Sequence, residues 1–93
     1  TAPLEIMALC AAALSAAGRL AEIGSRLAVS DAGCAAAILR GALEAAALNV
    51  LVNTKTMTDR SAADHLNARC FALLDQGRTD GERIFCAVRD QLV

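Results

Sequence analysis

The sequence predicts an all-α protein, an antiparallel bundle of three to four helices around an alanine-rich central helix. Three observations lead there. Apolar residues recur at helical rather than alternating spacing. β-Branched residues rarely cluster, so no segment reads as a strand. Residues that start and stop helices punctuate the chain at helix-length intervals. Ninety-three residues allow one domain, here the whole of 1–93.

The first helix is expected from Thr1-Ala-Pro3, where a capping hydroxyl precedes a proline whose missing N–H is harmless in the first turn. It should run to about Ile23, with Gly24 as its stop. At 100° per residue Glu5, Ser15, Arg19 and Glu22 share a stripe, with Ile6, Leu9, Leu20 and Ile23 on the opposite side. "GSRLAV" (24–29) reads as a connection. Ser30 then offers an N-cap hydroxyl, and Asp31 a carboxylate at the positive end of the helix dipole.

The second helix should reach Asn53 or Lys55. Arg40 and Glu44 sit on one face at i, i+4, and Asn49 and Asn53 about half a turn away. "TKTMTDRSA" breaks the chain again, with Thr58 or Asp59 as cap. A third helix over about 59–76 gathers Leu66, Cys70, Leu73 and Leu74. Gly77 and Gly81 predict a break, and a fourth helix over about 80–92 aligns Ile84, Val88 and Leu92; one bent helix is the other reading. The alanine triplets 11–13, 35–37 and 45–47, with Gly33 and Gly41, predict close helix contacts.

Phe71 and Phe85 are the only aromatic residues. At about 25 cal/mol per Å² of apolar surface, alanine needs many more contacts than phenylalanine to give equal stability. Further burial against a partner is therefore expected. The net charge of −1, without a basic patch, argues against nucleic-acid binding. Cys10, Cys34, Cys70 and Cys86 are too dispersed for a zinc site and read as buried thiols, which places the chain in the reducing cytoplasm. No signal peptide is visible. Residues 32–52 are long and apolar enough to suggest a membrane span, but Arg40 and Glu44 would each cost about 2.5–3.5 kcal/mol at the bilayer centre. A buried soluble helix is the better reading. The chain begins at Thr1, which points to processing or truncation.

Four residues are candidates for chemistry. A buried amide needs partners or costs about 1–3 kcal/mol, so Asn49 and Asn53 either satisfy backbone ends or a dimer seam, or orient a ligand in a polar cleft. Asp31 is either a helix-start carboxylate or, opening on a cleft, a group that fixes a ring nitrogen or serves in acid–base work. Lys55 is either a cation at a helix C-terminus or a ligand contact. His65, the single histidine, reads as a surface residue with no nucleophile beside it. No phosphate-binding loop, nucleophile elbow or metalloprotease helix occurs, and no metal site is expected.

"PLEIMALC", "VSDAGCAAAILRGALEAAALNVLVN" and Lys55 resemble the cyclodeaminase/cyclohydrolase family of folate one-carbon enzymes. The likeness covers almost the whole chain and is strongest from Pro3 to Lys55. It implies an all-α dimer with a tetrahydrofolate derivative as substrate, bound between helices and subunits without a metal. The implied reaction is release of ammonia from 5-formimidoyltetrahydrofolate or hydrolysis of 5,10-methenyltetrahydrofolate. Asp31, Asn49, Asn53 and Lys55 match the family's polar positions; we expect Asp31 to handle protons or the pterin ring, and the asparagine pair and Lys55 to orient ligand or water. The chain resembles the family's second half. It lacks the glycine-rich P-x-P-G-G-G motif of the first half, and its "GSRLAV" loop lacks the usual asparagine. The implied partner is a second copy or a complementary N-terminal half. A truncated, non-catalytic dimerisation module and a folate-binding protein without turnover are the alternatives.

Overall fold

A computed structural model describes residues 2–23 and 26–93, with the side chains of Ile23, Arg26 and Leu27 left aside. Three helices and no strand occur among them: α1 (Ala2–Ile23), α2 (Arg26–Lys55) and α3 (Arg60–Leu92). They form a rod of 50 × 18 × 15 Å. Leu4 and Met7 at the start of α1 share a core cluster with Val50 near the end of α2 and Cys70 on α3. Leu14, Ala17 and Ala21 share the other with Val29, Ala32, Ile84 and Val88. So α2 runs antiparallel to both neighbours, and α1 runs parallel to α3.

Local chemistry explains most boundaries. Pro3 sits in the first turn of α1, where it costs no hydrogen bond. The expected cap Thr1 and stop Gly24 lie outside the described residues. Asp59 caps α3, its Oδ1 accepting from Ala62 N at 3.0 Å. Arg60 turns back to donate to the Thr54 and Met57 carbonyls at 2.8 and 3.1 Å, satisfying acceptors left open at the end of α2.

Four expectations need correction. Residues 26–29 are helical, so Ser30 is not a cap and Asp31 lies beyond the first turn of α2, away from the strongest part of the dipole. The break at 77–81 is absent. Gly77 and Gly81 are buried within one continuous α3, where the first meets Leu43 and the second Arg40 at van der Waals range. On α1, Ile6, Leu9 and Leu20 are largely exposed, and the core face is instead Leu4, Met7, Cys10, Ala11, Leu14, Ala17 and Ala21. Of the four cysteines, Cys10 and Cys70 are buried, Cys86 is half-buried and Cys34 is exposed; all are free thiols.

The small residues act as expected in part. A Cβ on Gly33 would lie 2.8 Å from Val88, so α2 and α3 approach closely there, whereas Gly41 faces open space. Each alanine triplet places at least one methyl in the core, through Ala11, Ala36, Ala46 and Ala47. Between α2 and α3 an ion-pair chain runs along the surface. Arg40 bonds Glu82 at 2.9 Å, Arg78 bonds Glu44 at 2.6 Å, and Arg40 Nε lies 4.0 Å from Glu44. By length and composition alone, α1 and α2 each suffice to cross a membrane. Only 28% of the most apolar stretch of α2 is buried, so its reading as a buried helix holds for one side.

Candidate functional site

The outer side of α2 carries all four candidate residues. Arg40 and Glu44 point toward α3, as their pairing shows. Asn49 and Asn53 lie on the opposite side, exposed and one turn apart. Neither side-chain amide has a hydrogen bond to another described residue, so neither satisfies a helix end within this chain. Lys55 is exposed in the last turn, where its charge suits the negative end of the helix dipole. Immediately inside, Thr54 is buried and its hydroxyl donates to Asn67 Oδ1 at 2.6 Å. Thr54 and Arg60 thus fix the end of α2 and with it the positions of Asn53 and Lys55.

Asp31 is also exposed, but the helix does not bring it to the asparagines. Eighteen residues separate Asp31 from Asn49. That is five full turns, so the two share one meridian of α2 about 27 Å apart along the axis. Between and beside them the surface is apolar: Ile38 is 72% exposed, Leu48 65% and Val52 66%. One copy of α2 therefore offers two separate polar ends joined by an apolar strip. The asparagine end supplies amide donors and acceptors, with Lys55 at the same end of α2 but about 120° round the helix from Asn49; the other end supplies a carboxylate that accepts protons and hydrogen bonds.

An apolar groove of about 340 Å³ opens between the start of α2 and the end of α3, lined by Ser30, Cys34, Phe85, Val88 and Leu92 among others. Sequence reasoning did not single it out. Phe85, one of only two aromatic residues, is the signal the sequence offers for it, and Cys34, expected to be buried, is exposed. His65 is exposed and lies with Ser61 and Asp64 around a shallow surface depression on α3. Among the described residues no three His, Cys, Asp or Glu side chains converge as metal ligands would.

Comparison with known proteins decides the family. The formiminotransferase-cyclodeaminase model matches residues 1–72, which include all of α1 and α2 and every candidate residue. The chain belongs to that family. A methenyltetrahydrofolate cyclohydrolase from Methylorubrum extorquens (strain ATCC 14718 / DSM 1338 / JCM 2805 / NCIMB 9133 / AM1) is 33% identical over 90 residues. The match covers 97% of this chain and 43% of that relative, so the chain spans less than half the length of the family member it resembles. No solved structure matches. The matched region ends at residue 72, so the second half of α3, with its buried glycines and Phe85, lies outside the part that defines the family.

Proposed function

We propose that this chain supplies the α2 side of a folate-dependent one-carbon site and that the reaction is hydrolysis of 5,10-methenyltetrahydrofolate. The observation that carries this reading is the match to a methenyltetrahydrofolate cyclohydrolase along 97% of the chain, with Asp31, Asn49, Asn53 and Lys55 all inside it. In the hydrolysis a water oxygen bonds to the methenyl carbon. The bond from that carbon to N5 then breaks, N5 takes up one of the two protons the water brought, the formyl group stays on N10, and the other proton leaves. Asp31 takes the proton from water. Asn49 and Asn53 orient the pterin or the water through amide hydrogen bonds, and Lys55 pairs with an anionic group of the folate. Release of ammonia from 5-formimidoyltetrahydrofolate, the cyclodeaminase reaction, uses the same groups with N10 as the nucleophile.

The chain works in this reading with a complementary segment or a second copy, because one α2 leaves its polar ends about 27 Å apart. No metal takes part, and free thiols at all four cysteines support a reducing, cytoplasmic setting. A second reading, a non-catalytic dimerisation module, is favoured by the exposed Ile38–Leu48–Val52 strip.

Equilibrium titration with 5,10-methenyltetrahydrofolate separates the two. The catalytic reading expects saturable binding, weakened at least about tenfold (1.4 kcal/mol) in Asn49→Ala and in Lys55→Ala. Because Asn49 is exposed, that variant should change stability by no more than about 0.5 kcal/mol. Absence of binding, both by the chain and by its mixture with the N-terminal portion of the cyclohydrolase relative, would sink the folate reading and leave the module.

A further inference from the structure

We infer that the apolar groove between the start of α2 and the end of α3 binds a medium-chain aliphatic carboxylate, its chain along the seam of the two helices and its head on Arg89. The site is separate from the one-carbon site proposed above. Phe85, Val88 and Arg89 all lie beyond residue 72, where the family match ends.

Glycine contacts set the register of the groove. Gly33 lies against Val88 and Gly81 against Arg40, so Ala37 comes beside Phe85, and Ser30 beside the last turn of α3 near Leu92. A Cβ at Gly33 would stand 2.8 Å from Val88, so the helices touch there and form a floor. From Ala37 to Ser30 α2 rises about 10 Å, the length of an extended chain of about eight carbons. One turn below Ala37 and Phe85 the Arg40–Glu82 pair spans the seam at 2.9 Å and closes that end. The other end opens at the tip of the rod. The volume of about 340 Å³ lies at the small end of the range of about 300–1,000 Å³ typical of small-ligand sites.

The lining selects the class of ligand. Ala37, Phe85, Val88 and Leu92 present only carbon, and Phe85 is 49% exposed, so a chain laid against it removes apolar surface from water. Arg89 is the one charged side chain among the described residues of the lining; Asp31 and Asp90 are not part of it. Asp90 engages Arg89 through Nε and Nη2, at 3.1 and 3.0 Å, which leaves the Nη1 edge of the guanidinium for a second anion. Ser30, on the facing wall, adds a hydroxyl that can donate to the same carboxylate. An alkylammonium would meet like charge at Arg89, and an uncharged chain would leave that donor edge unused.

Isothermal titration of the whole chain with octanoate, kept well below its aggregating concentration, tests the site. Saturable binding at one site per chain is expected, tightening at least about twofold for each methylene added from butyrate to octanoate. Octanol should bind about fivefold more weakly (about 1 kcal/mol), and octylammonium not at all. Arg89→Gln should erase the preference for octanoate and leave octanol binding unchanged. Ala37→Phe, at an exposed position, should fill the closed end and abolish binding with no shift in the urea midpoint. Cys34 reports where the ligand sits: saturating octanoate should slow its alkylation by iodoacetamide in the parent chain and not in Ala37→Phe. Should Ala37→Phe unfold the chain, the Arg89→Gln comparison and the protection of Cys34 decide alone. Absence of saturable binding, equal affinity of the parent chain for octanoate and octanol, or binding that leaves Cys34 equally reactive overturns the site. Flotation with phosphatidylcholine vesicles without octanoate binding overturns it in favour of lipid. Self-association that Ala37→Phe abolishes, again without octanoate binding, overturns it in favour of a second copy.

Discussion

Gly77 on α3 lies against Leu43 on α2 with no room for a Cβ between them. Leu43 is fully buried and Leu14 of α1 closes the site from the third side, so the leucine has nowhere to retreat. Gly77→Ala should therefore destabilise the fold by about 1–2 kcal/mol, overpacking outweighing the better helix propensity of alanine. Gly41→Ala should do the opposite. Its Cβ enters open space, and the chain should gain about 0.5–1 kcal/mol. Urea midpoints of the two variants, moving in opposite directions, check both.

Thr54 and Asn67 join the end of α2 to the start of α3 through a 2.6 Å hydrogen bond on a buried hydroxyl. Thr54→Val keeps the shape and removes the donor, leaving the half-buried Asn67 amide oxygen unpaired. The expected cost is about 1–2 kcal/mol. In a double-mutant cycle with Asn67→Ala the two losses should be clearly non-additive; additive losses would show that the bond contributes nothing.

Glu82 is held below the usual glutamate range, first by the hydrogen bond from Arg40, then by the Cys86 thiol and the Arg40 charge. A carboxylate whose folded pKa is depressed stabilises the protein above its unfolded pKa and loses that contribution as pH falls through the folded value. The parent chain should thus exceed Glu82→Gln in stability at neutral pH, and the gap should close in acid below the ordinary glutamate range. Added salt should narrow the gap at neutral pH, since the pair is exposed. A gap independent of pH would assign the effect to packing.

The four thiols should react in a fixed order. Cys34 is exposed and should alkylate first with iodoacetamide at neutral pH. Cys86 should follow slowly, because its bond to Glu82 raises its pKa and keeps it protonated. Burial protects Cys10 and Cys70, and also raises the pKa of Cys70, so both should label only on unfolding. Peptide mass mapping over time reads the order.

The helical class, the end of α1 near Ile23, the Asp59 cap and the opposition of Arg40–Glu44 to Asn49–Asn53 were legible because each rests on residues within a few turns of one another. What was illegible depended on neighbours. Gly77 and Gly81 read as a helix break because a glycine's local preference is visible in the sequence and the Leu43 and Arg40 side chains it accommodates are not. On α1, side-chain size is a poor guide to burial. Where helices pack through methyl groups, Ala11, Ala17 and Ala21 occupy the core, and the bulkier Leu9 and Leu20 are left outside. Ser30 and Asp31 carry start signals that the preceding helical residues, Arg26 to Val29, make redundant.

Leu39 packs against both core clusters, the one around Leu4, Leu43 and Val50 and the one around Leu14, Ala32 and Ile84. Asp31 belongs by position to the second cluster's end of the rod and Asn49 to the first's. The two chemical ends are therefore anchored in different cooperative units, and a disturbance in the side chains of one has its route to the other through Leu39. Amide exchange should resolve two unfolding units in this small rod, and shortening Leu39 should loosen their coupling while leaving each end's local structure in place.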